Sequence, residues 1–311
     1  MALKHFEYCV VGLGSIGVLT YYFLRDMHPL AVTRRIDAPK EIEVDLLWHG
    51  RTVFKSRVAA YPPDWDFECR KAIVAVKAYD LERTLTQISS KVESAVLLQN
   101  GIGIREMALR ILGEDRLVRA IVTYGAVKRG EFSSELRSEG KYYIGVYSRS
   151  AMEAASRLAG DLAGGGANVE LVEDIQGFEW LKLVVNAAIN PLTALLRASN
   201  RVVVESEHAW RVAVMAAEEV VAVAKKLGVK LPVDDPIAYL RHAAEAFKEN
   251  VSSMAQDVAS GRRTEIDFIN GAVVRLARSV GVPARVNETL YNMIKVIEEN
   301  STVLHDTRWH G

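Results

Sequence analysis

The sequence is poor in cysteine, the residue that cross-links small secreted domains and binds metal ions. It has only two cysteines, Cys9 in an apolar run and Cys69 in a polar stretch. Two isolated cysteines provide neither a disulfide framework nor a metal-ligand pattern. We therefore expect no metal site and a reducing, cytoplasmic setting.

An excess of charge of either sign is also absent, since Lys plus Arg and Asp plus Glu each number 39. Nucleic-acid binding needs a clustered excess of basic side chains, so a nucleic-acid partner is not expected. No uninterrupted apolar run is long enough to cross a bilayer. The apolar stretch from Tyr8 to Leu24 is broken by three glycines, which favours strand, turn and helix over a membrane or signal segment.

The length of 311 residues favours two domains, because single cores stop growing near this size. The first half alternates β-type runs with helical patterns, which predicts an α/β domain built on a parallel sheet. Predicted helices start at Ser15, Asp80 and Ile104, and the stretch 37–66 is irregular, with room for extra short strands. Strands are predicted at 7–11, 30–33, 71–76, 94–98, 117–122, 141–146 and 168–172.

Beyond Gly177 the pattern is almost wholly helical. The predicted domains are therefore a dinucleotide-binding domain at 1–172 and a helical domain at 173–311. Glycine and proline predict breaks within the helical part at Pro191, Pro232, Pro236, Gly261 and Pro283.

A glycine-rich segment follows the first predicted strand and opens the first predicted helix. Gly12, Gly14 and Gly17 have the spacing G-x-G-x-x-G. These positions suit a tight turn, a close backbone approach to a pyrophosphate and close helix packing, with free N–H groups at the helix start. The segment predicts a dinucleotide site; the alternative is a glycine-rich structural turn.

Two arginines, Arg34 and Arg35, follow the second predicted strand, where an NAD site usually carries a carboxylate. A carboxylate would repel a 2′-phosphate, whereas a guanidinium binds one through charge-assisted hydrogen bonds. The pair favours NADPH, with NADH as the alternative cofactor. The two arginines could also be solvated surface residues.

Polar side chains recur every four residues in an otherwise apolar helical segment, at Lys182, Asn186 and Asn190. This spacing places one amine and two amides on one side of a helix, where they need polar partners. The alternative to a ligand is mutual hydrogen bonding at a domain interface. Pro191 predicts a helix break at which ligand could enter beside Asn190.

Glu265 follows Thr264, a predicted N-cap, and Gly261, a predicted helix stop. We expect Glu265 in the first turn of a new helix, where the helix dipole favours its ionised form. The alternative is an ordinary first-turn glutamate.

Together, these motifs resemble the ketopantoate reductase (2-dehydropantoate 2-reductase) family. The resemblance runs in order through the glycine segment, AVKAYD at 75–80, LLQNGIG at 98–103, LKLVVNAAINPLTALLRASN at 181–200 and SSMAQDVASGRRTEIDFINGAVV at 252–274. It implies a Rossmann domain followed by an all-α domain of the 6-phosphogluconate dehydrogenase-like type. It also implies NADPH-dependent reduction of ketopantoate to (R)-pantoate, on the route to pantothenate and coenzyme A.

The resemblance further implies roles for individual residues. Lys182 would be the general acid, and Glu265 would position Lys182 or accept a substrate hydroxyl proton. The implied cofactor-binding residues are Gly12, Leu13, Gly14, Ser15, Ile16, Gly17, Arg34 or Arg35, Lys77, Asn100, Ala126 and Glu265. The implied substrate-binding residues are Asn100, Lys182, Asn186, Asn190, Asn200 and Ser253.

Other interpretations share this fold. A β-hydroxyacid dehydrogenase acting on another small 2- or 3-hydroxy acid would also use a helix-borne lysine, although a phosphorylated sugar acid would require more cations than the amides and hydroxyl found here. A non-catalytic NADP-binding sensor would be expected to lack Lys182 or Glu265, and both are present. The family commonly forms dimers through its helical domain, so a homodimer is a further expectation.

Overall fold

A computed structural model describes residues 4–300. The chain divides into two compact units. The first contains the residues up to 99 and 104–175, and the second contains 100–103 and the residues from 176 onward. The chain therefore passes to the second unit near residue 175, and the short loop 100–103 groups with that second unit although its neighbours in sequence belong to the first.

The first unit is built on an eleven-stranded sheet with the order β11-β10-β7-β6-β5-β1-β2-β4-β3-β9-β8. The strands are β1 His5–Val11, β2 Leu30–Val32, β3 Lys40–Trp48, β4 Arg51–Tyr61, β5 Glu68–Val74, β6 Val92–Leu97, β7 Leu117–Val122, β8 Gly125–Lys128, β9 Ser133–Ser138, β10 Tyr142–Val146 and β11 Val169–Leu171. Six adjacent strands, β4-β2-β1-β5-β6-β7, run parallel. This is the doubly wound order of a Rossmann fold, and it confirms the predicted fold class.

Helices of the first unit connect the parallel strands: α1 Ser15–Phe23, α2 Leu81–Ile88, α3 Ile104–Leu112 and α4 Met152–Gly164. A 3-10 turn, Ala78–Asp80, precedes α2. The strands and helices enclose a core whose members include the fully buried Tyr8, Leu19 and Tyr142. The predicted helix starts at Ser15 and Ile104 are confirmed, and the helix predicted from Asp80 begins one residue later.

The stretch 37–66 differs most from the expectation of irregular chain with short strands. Strands β3 and β4 are nine and eleven residues long and pair as an antiparallel hairpin. Charged residues alternate with apolar ones along β3, whose burial alternates through Ile42, Val44 and Leu46. This alternation of buried and exposed residues is typical of a strand with one solvent-facing side, but the many charged residues made it hard to recognise in the sequence.

The second unit is helical, as predicted. Its helices are α5 Ile175–Leu196, α6 Arg201–Glu205, α7 Glu207–Lys226, α8 Pro236–Ala246, α9 Ser253–Ala259, α10 Asn270–Val280 and α11 Arg285–Glu299. Pro236 is the first residue of α8, Pro232 and Pro283 lie between helices, and Gly261 has a positive φ of 62° after α9. These four predicted breaks are confirmed.

The predicted break at Pro191 is wrong, because α5 continues through it for its full 22 residues. A proline in a helix leaves the carbonyl four residues earlier without its N–H donor. That carbonyl belongs to Ala187, and the side-chain amide of Asn270 donates to it at 3.0 Å. The helix therefore stays continuous because a distant side chain replaces the missing donor.

The helix predicted to start at Thr264 is also wrong. Glu265 lies just before a single 3-10 turn, Ile266–Phe268, and the next α-helix starts only at Asn270. Thr264 does accept a hydrogen bond from the Ile266 N–H at 3.1 Å, so it acts as a local cap without an α-helix behind it. A three-residue turn has no appreciable dipole, so the helix-dipole argument for Glu265 does not apply.

Candidate active site

The glycine-rich turn begins directly after β1. The Gly12 N–H donates to the Val32 carbonyl of β2 at 2.9 Å, and Gly12 has a positive φ of 93°. A β-carbon at Gly12 would lie 2.8 Å from Val76 Cγ1. Both the backbone conformation and the close neighbour require glycine, as the tight-turn interpretation predicts.

The two remaining glycines differ in their surroundings. A β-carbon at Gly17 would lie 1.9 Å from the Gly12 carbonyl oxygen, so α1 packs too closely for any other residue. A β-carbon at Gly14 would meet no described atom within 4 Å, which leaves open space at the start of α1. Among the described residues, no side chain caps this helix end. Its first N–H groups and positive dipole end therefore suit a pyrophosphate, so the turn fits a dinucleotide.

The other turn residues contribute mainly through the backbone. Leu13 is buried, the Ser15 carbonyl accepts from the Ser134 hydroxyl at 3.2 Å, and the Ile16 carbonyl accepts from the Thr20 hydroxyl at 2.7 Å. These contacts hold the start of α1 against β9 and against its own next turn.

The two arginines after β2 reach different parts of the first unit. The Arg34 guanidinium donates to the Asp80 carboxylate, with Nη2 and Oδ2 2.6 Å apart. The Arg35 guanidinium donates to the Glu131 carbonyl and lies 5.7 Å from the centre of the Phe132 ring. The structure therefore does not bring the two guanidinium groups to one place, and Arg34 is the arginine associated with the carboxyl ends of β2 and β5.

The first unit also carries Lys77 and Ala126. Lys77 follows β5, and its carbonyl accepts from the Asp80 N–H at 2.9 Å at the start of the 3-10 turn. Ala126 lies in β8 beside a register shift against β9 and packs against the core of the unit. Lys77 thus lies at the edge of the sheet where ligands of Rossmann folds bind, whereas Ala126 belongs to the sheet extension beyond β3.

Asn100 and Glu265 are brought together within the second unit. The Asn100 side-chain amide donates to the Glu265 carboxylate, with Nδ2 and Oε2 3.0 Å apart. The Glu265 side chain is almost fully buried, so this charge-assisted hydrogen bond has little competition from water. Two of the polar residues that the family resemblance nominates, Asn100 and Glu265, are therefore directly connected.

Glycine makes the approach of loop 100–103 to this region possible. Gly101 has a positive φ of 90°, and a β-carbon there would lie 2.2 Å from the Phe268 carbonyl oxygen. The next residue, Ile102, donates its N–H to the same carbonyl at 2.9 Å. The loop is thus fixed against the 3-10 turn that follows Glu265.

Within the first unit, two buried side chains that the sequence analysis missed hold the ends of β5 and β6. Arg119 donates to the carbonyls of Leu97 and Gln99, each at 2.7 Å. The Gln99 side chain donates to the Val74 carbonyl at 2.8 Å. The sequence could have indicated this role, because Arg119 is a single arginine within the apolar strand LVRAIV and a buried charge needs dedicated partners.

The polar stripe of α5 is present as predicted. Because the helix is continuous, Lys182, Asn186 and Asn190 lie along one side of it; Lys182 and Asn186 are half-buried and Asn190 is buried. The sequence analysis missed Glu179, which is buried. It lies three residues before Lys182, and this spacing places it on the same side of α5.

Ser253 is the exposed first residue of α9, and its neighbour Ser252 links α9 to α5. The Ser252 hydroxyl lies 2.7 Å from the Thr193 hydroxyl, and Thr193 also donates to the Asn190 carbonyl at 3.0 Å. Thr193, another residue that the sequence analysis missed, therefore connects Ser252, just before α9, to the end of the polar stripe. The sequence feature that could have identified Thr193 is a hydroxyl side chain three residues after Asn190 in an otherwise apolar helix.

Asn200 has a mainly structural environment. Its side-chain amide donates to the Phe247 carbonyl at 3.0 Å, and its backbone N–H donates to the Asn250 carbonyl at 2.8 Å. The amide donor predicted to hold a substrate carboxylate is thus directed to the chain between α8 and α9.

Comparison with known proteins identifies the group to which this architecture belongs. The family model described as "Ketopantoate reductase PanE/ApbA" matches residues 8–149, and "Ketopantoate reductase PanE/ApbA C terminal" matches residues 174–298. The 2-dehydropantoate 2-reductase of Pyrobaculum aerophilum is 40% identical over 291 residues, covering 93% of this chain and 97% of that protein. The chain belongs to the ketopantoate reductase family.

Further similarities agree with this membership. The 2-dehydropantoate 2-reductase of Archaeoglobus fulgidus is 33% identical over 296 residues, which cover 93% of this chain and 97% of that protein. The crystal structure of a PanE/ApbA family ketopantoate reductase from Ralstonia eutropha JMP134 has a TM-score of 0.80 and 25% identity, covering 95% of this chain and 99% of that one. A D-mandelate dehydrogenase with NADH and anilino(oxo)acetate has a TM-score of 0.86 at 21% identity, with the same coverage of both chains, and this similarity concerns the fold alone.

Proposed function

We propose that this protein reduces 2-dehydropantoate (ketopantoate) to (R)-pantoate with NADPH, as part of the synthesis of pantothenate and coenzyme A. The observation that carries the proposal is the uninterrupted α5, which keeps Lys182, Asn186 and Asn190 on one side of a single helix. The membership of the ketopantoate reductase family supports the same reaction.

NADPH would be held by the first unit. The glycine-rich turn and the uncapped start of α1 suit the pyrophosphate, and Arg34 suits the 2′-phosphate. Arg35, Lys77 and Ala126 remain proposed contacts. When bound, the reduced nicotinamide supplies the hydride.

The second unit would bind the keto acid and supply the proton. A lysine ammonium at position 182 can stabilise the developing alkoxide oxygen and then donate a proton to it. Asn186, Asn190 and Ser253 offer amide and hydroxyl donors for the substrate carboxylate or hydroxyl groups. These donors suit a small monoanion better than a phosphorylated substrate.

Glu265 would act with Asn100. Its carboxylate accepts from the Asn100 amide at 3.0 Å, which fixes one of its oxygens and orients the other. A fixed, buried carboxylate can orient an ammonium or accept a hydrogen bond from a substrate hydroxyl. Asn200 is the weakest of the proposed substrate contacts, because its amide donates to Phe247.

The proposed setting is the cytoplasm, and the proposed assembly is a homodimer formed through the helical unit. Cys9 and Cys69 are both buried free thiols, which suits a reducing compartment. No helix within residues 4–300 is long and apolar enough to cross a membrane. A structural neighbour from Staphylococcus aureus, 18% identical, is described as a dimeric ketopantoate reductase. Light scattering on the purified protein tests the assembly.

Turnover tests the reaction directly. Purified protein is incubated with ketopantoate and NADPH, and the loss of absorbance of the reduced nicotinamide is followed, with the product identified as (R)-pantoate by chiral chromatography. A panel of other 2-keto acids serves as the control. Faster reduction of another 2-keto acid at equal concentration, or no reduction of ketopantoate, would overturn the proposed substrate.

A further inference from the structure

The ion pair between Arg34 and Asp80 has a specific place in the first unit. Arg34 follows β2 and Asp80 closes the 3-10 turn after β5, and these two strands flank β1 on either side. The glycine-rich turn begins at the end of β1. The pair therefore connects the chain on both sides of that turn, where the sheet order predicts the cofactor to bind.

The ion pair contributes little to holding the fold together. The Arg34 and Asp80 side chains are 38% and 27% exposed, and ion pairs in such positions contribute little to stability. Asp80 has right-handed helical backbone angles and closes the 3-10 turn that leads into α2, so its side chain is not placed to cap that helix. Among the described residues, its carboxylate contacts Arg34.

The carboxylate changes what Arg34 can recognise. A carboxylate and a phosphate use the same N–H groups of a guanidinium, so Asp80 competes with a 2′-phosphate for Arg34 and also repels it. The ribose 2′-hydroxyl of NADH, in contrast, is uncharged, so the Asp80 carboxylate does not repel it.

We propose that Asp80 is a cofactor-discriminating residue, which lowers the preference for NADPH over NADH by occupying Arg34. This inference rests on the proposed function, because it assigns Arg34 to the 2′-phosphate. It implies that the wild-type protein accepts both cofactors more evenly than its arginines alone would predict.

Binding of adenosine 2′,5′-bisphosphate and of 5′-AMP, measured by isothermal titration calorimetry, tests the proposal without turnover. Asp80→Asn, which keeps the shape and removes the charge, should bind the bisphosphate about three- to tenfold more tightly. Its affinity for 5′-AMP should change by less than about twofold. Fluorescence titration with NADPH and NADH should show the same increase in preference for NADPH.

Two further variants separate this effect from a general loss of negative charge. Glu82→Gln removes a carboxylate two residues away, which pairs with Arg110 at 3.7 Å on the surface, and should leave both affinities unchanged. In an Arg34→Ala background, Asp80→Asn should improve bisphosphate binding by less than about twofold, because the group for which Asp80 competes is gone.

Weaker bisphosphate binding by Asp80→Asn would overturn the proposal, since it would mean that Asp80 orients Arg34 for the phosphate. Unchanged binding, or an equal gain in Glu82→Gln, would also overturn it. Asp80→Ser provides a second variant, and thermal melting confirms that each protein is folded. Ketopantoate turnover by the wild type is scored separately, so failure of the proposed reaction is distinguishable from failure of the role of Asp80.

Discussion

Replacing Asn270 with alanine should destabilise the protein by about 2–6 kcal/mol. Asn270 is fully buried, and its amide donates to the Ala187 carbonyl at 3.0 Å and to the Asn287 side-chain oxygen at 2.9 Å. The variant leaves both buried acceptors without this donor, and each loss costs about 1–3 kcal/mol. Urea unfolding followed by circular dichroism at pH 7 measures the change. Asn292→Ala, an exposed asparagine in α11, is the matched control and should change stability by less than about 0.5 kcal/mol.

A double-mutant cycle with Pro191→Ala tests whether Asn270 compensates the proline. Alanine at position 191 supplies an N–H that can donate to the Ala187 carbonyl, so that acceptor no longer depends on Asn270. Asn270→Ala should therefore cost about 1 kcal/mol less in the Pro191→Ala background than in the wild type. Costs that agree within about 0.3 kcal/mol in both backgrounds, or an Asn270→Ala cost no larger than that of the control, would refute the compensation.

Three further predictions concern catalysis and pH. Lys182→Ala should lower kcat by about two to four orders of magnitude with little change in NADPH affinity, and steady-state kinetics with wild-type turnover would contradict its role as proton donor. Asn186→Ala or Ser253→Ala should raise the KM for ketopantoate more than about tenfold, since each removes a hydrogen bond to a charged group; an unchanged KM in both would move the carboxylate site elsewhere. Burial would raise the pKa of Asp267, but its hydrogen bond from Arg263 and the nearby Lys295 ammonium lower it below its ordinary value. The ionised carboxylate therefore stabilises the protein above about pH 4, and this stabilisation is lost as the pH falls through the lowered pKa. Urea unfolding should show that the difference in stability between wild type and Asp267→Asn narrows below about pH 4. A difference that does not depend on pH would contradict this.

The parts of the fold that could be predicted from sequence are those with a strong local signal. Strand β7 was predicted with its observed bounds, and β1, α1 and the glycine-rich turn followed in the predicted order, because apolar runs and glycines are adjacent there. The hairpin of β3 and β4 was not predicted at its true length. Its strands carry many charges on exposed positions, and its pairing depends on partners that no short window contains.

The errors in the candidate site have the same origin in distant partners. Pro191 was expected to break α5, but Asn270, 83 residues from the carbonyl that it contacts, keeps the helix continuous. Glu265 was assigned to a helix start, whereas the structure gives it a 3-10 turn and an amide partner, Asn100, 165 residues away. The sequence thus indicated which positions matter here, but it did not indicate their hydrogen-bond partners.

The cofactor preference illustrates why the identity of a single residue is not enough. Arg34 and Arg35 look equivalent in sequence, yet Arg34 contacts the carboxylate of Asp80, just before α2, whereas Arg35 contacts a backbone carbonyl and an aromatic ring. A guanidinium paired with a carboxylate must exchange one anion for another when a phosphate binds, so its net gain is smaller than that of an arginine facing only water. The strength of the preference for NADPH therefore depends on the contact between Arg34 and Asp80, which comes from packing of residues 46 positions apart and not from the arginine alone.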